Sequence, residues 1–160
     1  MKSRPLAVFD LDGTVADTRH RLHFVESRPH DWTAFFAAAA QDAPLEEGVA
    51  LAKASVETHE VVYVTGRPER CRRDTLDWLR RHGLPRGRLL MRADRDRRPA
   101  RVAKPELLRE LARGRTVGMV VDDDARVCEA YAAAGFPVVR ADWMPASPIL
   151  KQAQEQQGRT

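Results

Sequence analysis

The sequence predicts an α/β fold: a doubly wound, Rossmann-like parallel sheet in a three-layer sandwich, with a small helical insert after the first strand. Three observations predict it. Short apolar runs end in polar or glycine-containing loops, helical patterns alternate with those runs, and the residues just beyond the runs are unusually polar. At 160 residues the chain has the size of one domain. That domain is expected over residues 1–143, with the insert at about 15–48 and a flexible tail over 144–160.

The first strand is expected over Leu6 to Leu11. In the insert, Asp31 reads as the N-cap of a helix through Ala40, and Leu45 to His59 as another helix. Trp32, Phe35 and Phe36 stand at helical spacing and are expected to anchor the flap to the core. Glu60 to Val64 is the second main strand. It leads into a helix from Pro68 to His82, with proline at the first position and Gly83 as the stop. Leu89 to Met91 adds a short strand. A helix from Pro105 to Arg113, a strand over Val117 to Val121, a helix from Asp124 to Ala134 and a strand over Pro137 to Arg140 complete the pattern. Beyond Trp143 the Gln-rich tail has little to bury and is expected to fray.

No apolar run approaches the roughly 20 residues of a membrane helix. Met1 to Leu11 breaks at Asp10 and lacks a small-residue cleavage site, so it does not read as a signal peptide, and a cytoplasmic location is expected. Cys71 and Cys128 read as thiols within helices, with no second pair to make a metal site. The chain holds 23 Arg and 4 Lys against 23 acids. Arg67 to Arg101 alone contains 13 Arg and 5 acids, a local sum of +8 that fits an anionic partner.

Open parallel sheets bind ligands beyond the carboxyl ends of their strands. There the first run continues as FDLDGT, placing Asp10 and Asp12 at i and i+2 on the same side of an extended segment, with Gly13 free to turn. Two such carboxylates are costly to ionise together without a cation between them, and oxygen ligands favour magnesium. The second run ends in Thr65, Gly66 and Arg67, a hydroxyl and a glycine N–H that can cap a helix or hold a phosphate oxygen. Lys104 stands just before the expected helix at Pro105. Asp122, Asp123 and Asp124 end the run over Val117 to Val121, with Asp124 placed to cap the next helix.

In this order, FDLDGT, VTG, a lone lysine and VDD resemble the motifs of the haloacid dehalogenase (HAD) superfamily, from Leu6 to about Trp143. The resemblance implies Asp10 as the nucleophile of a phosphatase and Asp12 as its acid/base partner. It places Mg²⁺ on Asp10, the Asp12 carbonyl and Asp122 or Asp123, with Thr65, Gly66 and Lys104 on the phosphoryl oxygens. The stretches HRLHF, DWTAFF, MRADRDRR and VDDDARVCEAY are similar to the phosphatase domain of polynucleotide kinase-phosphatases. In that family Arg67, and Arg92 or Arg98, would help bind phosphate. Asp124 and Arg95 depart from the family's usual arginine and glycine.

No GxxxxGK[ST] loop is present, which excludes a P-loop kinase and leaves a functional partnership open with a separate kinase or ligase. A short insert implies an open crevice that admits the end of a polymer, so a nucleic-acid 3′-phosphate end is the expected substrate. A small-molecule nucleotide or sugar phosphatase shares the same core residues. A non-catalytic nucleic-acid-binding module would have no chemical need for the paired acids.

Overall fold

A computed structural model describes residues 2–159. Five parallel strands form the central sheet in the order β5-β4-β1-β6-β7: β1 (Leu6–Phe9), β4 (Glu60–Pro68), β5 (Leu89–Arg92), β6 (Val117–Asp122) and β7 (Val138–Arg140). The chain builds outward from β1 to β5 on one side, then returns to lay β6 and β7 on the other. The topological switch point therefore falls at the carboxyl end of β1, between β4 and β6.

Alternation along each strand explains the two cores. Leu6 and Val8 of β1 join Val62, Val64 and Val120 beneath α5 (Ala100–Leu111) and α6 (Ala125–Ala133). Ala7 and Phe9 point the other way and join Val61, Tyr63, Val121 and the fully buried Trp78 beneath α3 (Glu46–Ser55) and α4 (Arg72–Arg81). Buried on both faces, these strands read as continuous apolar runs, as parallel strands do.

The insert holds β2 (Ala16–Asp17), α1 (His23–Glu26), α2 (Trp32–Ala37) and β3 (Ala43–Pro44), with β2 and β3 paired antiparallel. Asp31 caps α2 by accepting from the Ala34 N–H at 2.9 Å. Helix α2 stops at Ala37 and continues as a 3₁₀ turn over Ala38–Gln41.

Helix α3 ends at Ser55, short of the expected His59, and three larger differences from the sequence-based expectation bear on the site. Strand β4 runs through Pro68, with an irregular register against β5 between Thr65 and Pro68, and α4 starts only at Arg72. Proline fixes φ at a value that an extended segment tolerates as well as a helix start does, so its position alone misplaces the boundary. Helix α5 starts at Ala100, which puts Lys104 inside it and Pro105 in its second turn. An interior proline costs about 3 kcal/mol in a helix. Burial of Leu108 and Leu111, at about 1.5–3 kcal/mol for each large apolar side chain, offsets it.

The third difference is the tail, where Pro148–Gln157 forms α7. Ser147 caps it, accepting from the Leu150 N–H at 3.2 Å, and Leu150 and Ala153 pack against Val25, Trp32, Phe35 and Phe36. The aromatic face of the insert thus rests on α7, a partner about 120 residues away in sequence. Periodicity within either segment does not reveal that pairing.

Candidate active site

Asp10 leaves β1 at the switch point, and Asp122 and Asp123 leave the adjacent β6. All three are buried, and one carboxylate oxygen from each lies within 4.8 Å of the others. Lys104, rising from α5, donates to Asp10 Oδ1 at 2.8 Å and to Asp122 Oδ2 at 2.7 Å. The Thr14 hydroxyl donates to Asp10 Oδ2 at 3.1 Å. Gly13 makes room for this cluster: its φ is +81°, and a Cβ there would stand 2.2 Å from Asp123 Oδ2.

Charge in the cluster is unfinished. Burial, then Asp122, push the Asp10 carboxyl well above its usual range in spite of Lys104. Burial also pushes Asp123 up, against the pull of Lys151. Burial opposes the charge on Lys104, but Asp10 and Asp122 outweigh it and hold the ammonium firmly protonated. Three buried carboxylates that bring oxygen donors within 4.8 Å of one another are a donor set that suits a hard divalent cation such as Mg²⁺, so the residues present fit that ion.

Asp12 sits in a different environment. Its Oδ1 accepts from Arg21 Nη2 at 2.9 Å and from Arg67 Nη2 at 2.5 Å. Both arginines also bind the buried Asp42: Arg21 with two bonds of 2.8 Å, and Arg67 at 3.2 Å. His20 adds a contact to Asp42 at 2.7 Å, and Trp78 Nε1 donates to the Asp42 carbonyl at 2.9 Å. The Arg21 guanidinium lies 4.3 Å from the centre of the Phe35 ring. Burial alone would raise Asp12, but Arg67 and Arg21 overcome it and hold the carboxyl below the ordinary carboxylate range. Asp12 Oδ2 is buried without a partner.

Asp10, Asp12, Lys104, Asp122 and Asp123 line one pocket. Arg67 reaches that pocket through Asp12. Thr65 and Gly66 lie in β4 and not at a helix start: Thr65 Oγ1 accepts from the Arg67 N–H at 3.1 Å, and the Gly66 carbonyl accepts from Arg92 Nε at 3.2 Å. Arg92 is buried beneath the loop that follows β5 and donates to the Arg98 carbonyl. Arg98 is exposed and paired with Asp96 at 2.9 Å and Glu106 at 2.5 Å. Asp124 caps α6, accepting from the Arg126 N–H at 2.9 Å.

Sequence reasoning missed Arg21, Asp42 and Lys151. Lys151 comes from α7 and donates to Asp123 Oδ2 at 3.0 Å. Residues Met144 to Ser147, with Leu150 and Gln154, also line this pocket, which has a volume of about 30 Å³. That holds an ion or a few waters, so the crevice is narrower than the short insert implies.

Residues 5–143 match the family model of the polynucleotide kinase PNKP phosphatase domain. Among solved structures, a chain of the Pnkp1/Rnl/Hen1 complex superposes with a TM-score of 0.73 at 22% identity, over 87% of this chain and 45% of that one. This chain thus spans less than half the length of that relative. The class C acid phosphatase from Bacillus anthracis with tungstate bound gives a TM-score of 0.63 at 16% identity, over 98% and 79%. A hydrolase from Streptococcus pneumoniae TIGR4 gives 0.59 at 17%, over 97% and 100%. No curated protein sequence matches the chain.

Proposed function

The chain belongs to the PNKP phosphatase-domain family and is a HAD-type phosphatase, and from that premise we propose that it removes 3′-terminal phosphate from nucleic-acid ends through an aspartyl-phosphate intermediate. The observation that carries this reading is the convergence of Asp10, Asp122 and Asp123 within 4.8 Å, with Lys104 bridging the first two. Asp10, the Asp12 carbonyl and Asp122 or Asp123 would hold Mg²⁺. Bound there, the ion supplies the positive charge that keeps Asp10 ionised and shields its approach to a phosphate dianion.

Asp10 attacks phosphorus, a P–O bond to its carboxylate forms, and the bond to the terminal oxygen of the strand breaks. Asp12 delivers a proton to that oxygen from its unpartnered Oδ2. It then takes a proton from the water that cleaves the aspartyl phosphate. The guanidinium groups on Oδ1 favour the ionised form, which suits the second half of the cycle. A phosphate that draws Arg67 toward itself weakens that hold and favours the protonated form needed in the first half. Lys104 stays fixed on Asp10 and meets the phosphoryl oxygens, with Thr65, Gly66, Arg92 and Arg98 as further proposed contacts. Entry of a strand end requires Met144 to Ser147 and α7 to yield. A functional partnership with a kinase or ligase activity fits this reading.

The narrow pocket favours one second reading, a small phosphate monoester as substrate. One experiment separates the two: Mg²⁺-dependent phosphate release from a 3′-phosphorylated oligonucleotide and from a mononucleoside 3′-phosphate, across a salt series. Preference for the oligonucleotide that fades with salt supports end processing. Equal or better turnover of the mononucleotide moves the assignment to small molecules.

A further inference from the structure

Away from the reaction pocket, three distant segments meet at a second cleft of about 710 Å³. Arg28 and His30 come from the insert, Arg97 from the loop after β5, and Arg159 from the end of α7. Among the described residues, no carboxylate lines this cleft. Like charges gathered in this way repel one another, and Arg159 is pressed below the usual arginine range by burial and then by Arg97 and Arg70.

Packing assembles these charges. The Trp32 indole N–H donates to Gln157 Oε1, which also lies 3.2 Å from His30 Nδ1. Gly158, buried and at φ +59°, brings the end of α7 against the loop so closely that a Cβ would stand 1.6 Å from the Arg97 carbonyl oxygen. A cleft held together by buried contacts and lined by self-repelling arginines is completed by a ligand with several spaced negative charges. The His30 ring, edge-on to Trp32 at 5.9 Å, adds an aromatic surface at the rim.

We propose that this cleft binds backbone phosphates of a single-stranded nucleic acid, a few nucleotides away from the end that reacts. The inference rests on the end-processing reading. Helix α7 sets the separation: from Lys151 at the pocket to Gln157 at the cleft are six residues, about 9 Å at the helical rise. That is roughly two or three steps at the ~3.4 Å charge spacing of one strand of B-form DNA, and fewer for an extended strand.

The test is fluorescence anisotropy of the full chain with a single-stranded oligodeoxynucleotide of about 12 nucleotides carrying a 3′-hydroxyl, which binds without reacting. In the triple variants Arg28→Gln, Arg97→Gln, Arg159→Gln and Arg28→Glu, Arg97→Glu, Arg159→Glu, Kd at moderate salt rises about tenfold or more. The slope of log affinity against log salt becomes shallower by about 2, from three contacts at ~0.7 each. Thermal melting shows whether each variant folds, and the milder glutamine set serves if the charge reversal does not. Unchanged Kd and slope in a folded variant overturn the inference, as does equal binding of a poly-glutamate peptide by the unmodified chain. Failure of the phosphatase reading appears separately, as no phosphate release from 3′-phosphorylated ends while the anisotropy result stands.

Discussion

Two groups of buried charges meet at one pocket, the second through Asp12 alone, and are built on opposite electrostatic plans. At the strand ends, Asp10, Asp122 and Asp123 crowd together, and Lys104 and Lys151 do not prevent the carboxyls of Asp10 and Asp123 from rising. Beside them, Asp12 and Asp42 are clasped by Arg21 and Arg67, two carboxylates against two guanidiniums, each making several hydrogen bonds. The first group sets two ammonium groups against three carboxylates, one positive charge short, and so accommodates a cation. The second is balanced and so holds a geometry. The crowded acids sit at the strand ends, and the clasp joins the insert to β4 through Arg67.

The widest gap between the two groups is expected in turnover. On the proposed mechanism Asp10→Asn removes the attacking oxygen and should lower the rate of phosphate release by at least about 10⁴-fold. Retained activity in that variant removes Asp10 from the nucleophile's role. For stability the ranking reverses. Asp42→Ala strands two buried guanidiniums and costs about 3–5 kcal/mol in denaturant unfolding. Asp123→Asn, which relieves repulsion, changes stability by no more than about 1 kcal/mol. Similar losses in the two variants would show that the groups are not built differently.

Magnesium sharpens the contrast next. On the proposed binding, a hundredfold excess of the ion over its Kd should stabilise the unmodified protein by about 2.7 kcal/mol. A thermal melt should show that shift lost in Asp122→Asn and kept in Arg21→Lys. The smallest effect concerns pH. Arg67 holds the Asp12 carboxyl low, so Arg67→Gln raises it, and the ionised form that accepts a proton from water is lost at a higher pH. The acidic limb of aspartyl-phosphate breakdown should move up by about one pH unit. No movement would mean that Arg67 does not set the ionisation of Asp12.

The sheet was largely legible because its signals are local. Leu6 to Phe9 alternates between two buried faces, and FDLDGT places acids two residues apart at a strand end, so fold and acidic pocket are both visible in a short window. Lys104 was found for its position, although the helix around it begins at Ala100, because Pro105 imitates a helix start. Asp42 was not legible. It is a single acid after an alanine run, and its partners Arg21 and Arg67 lie 21 and 25 residues away. Lys151 was hidden in a tail whose large apolar residues are Met144, Ile149 and Leu150, and whose partners lie in the insert.

The docking of α7 on the insert carries a consequence for synthesis. Trp32 and Gln157 are 125 residues apart, so the aromatic face of the insert has no cover until the ribosome has added the last turns of α7. At roughly 5–20 residues per second that interval lasts about 6–25 s. Throughout it Trp32, Phe35 and Phe36 are exposed on a nascent chain, the period in which a chaperone would find this protein most readily.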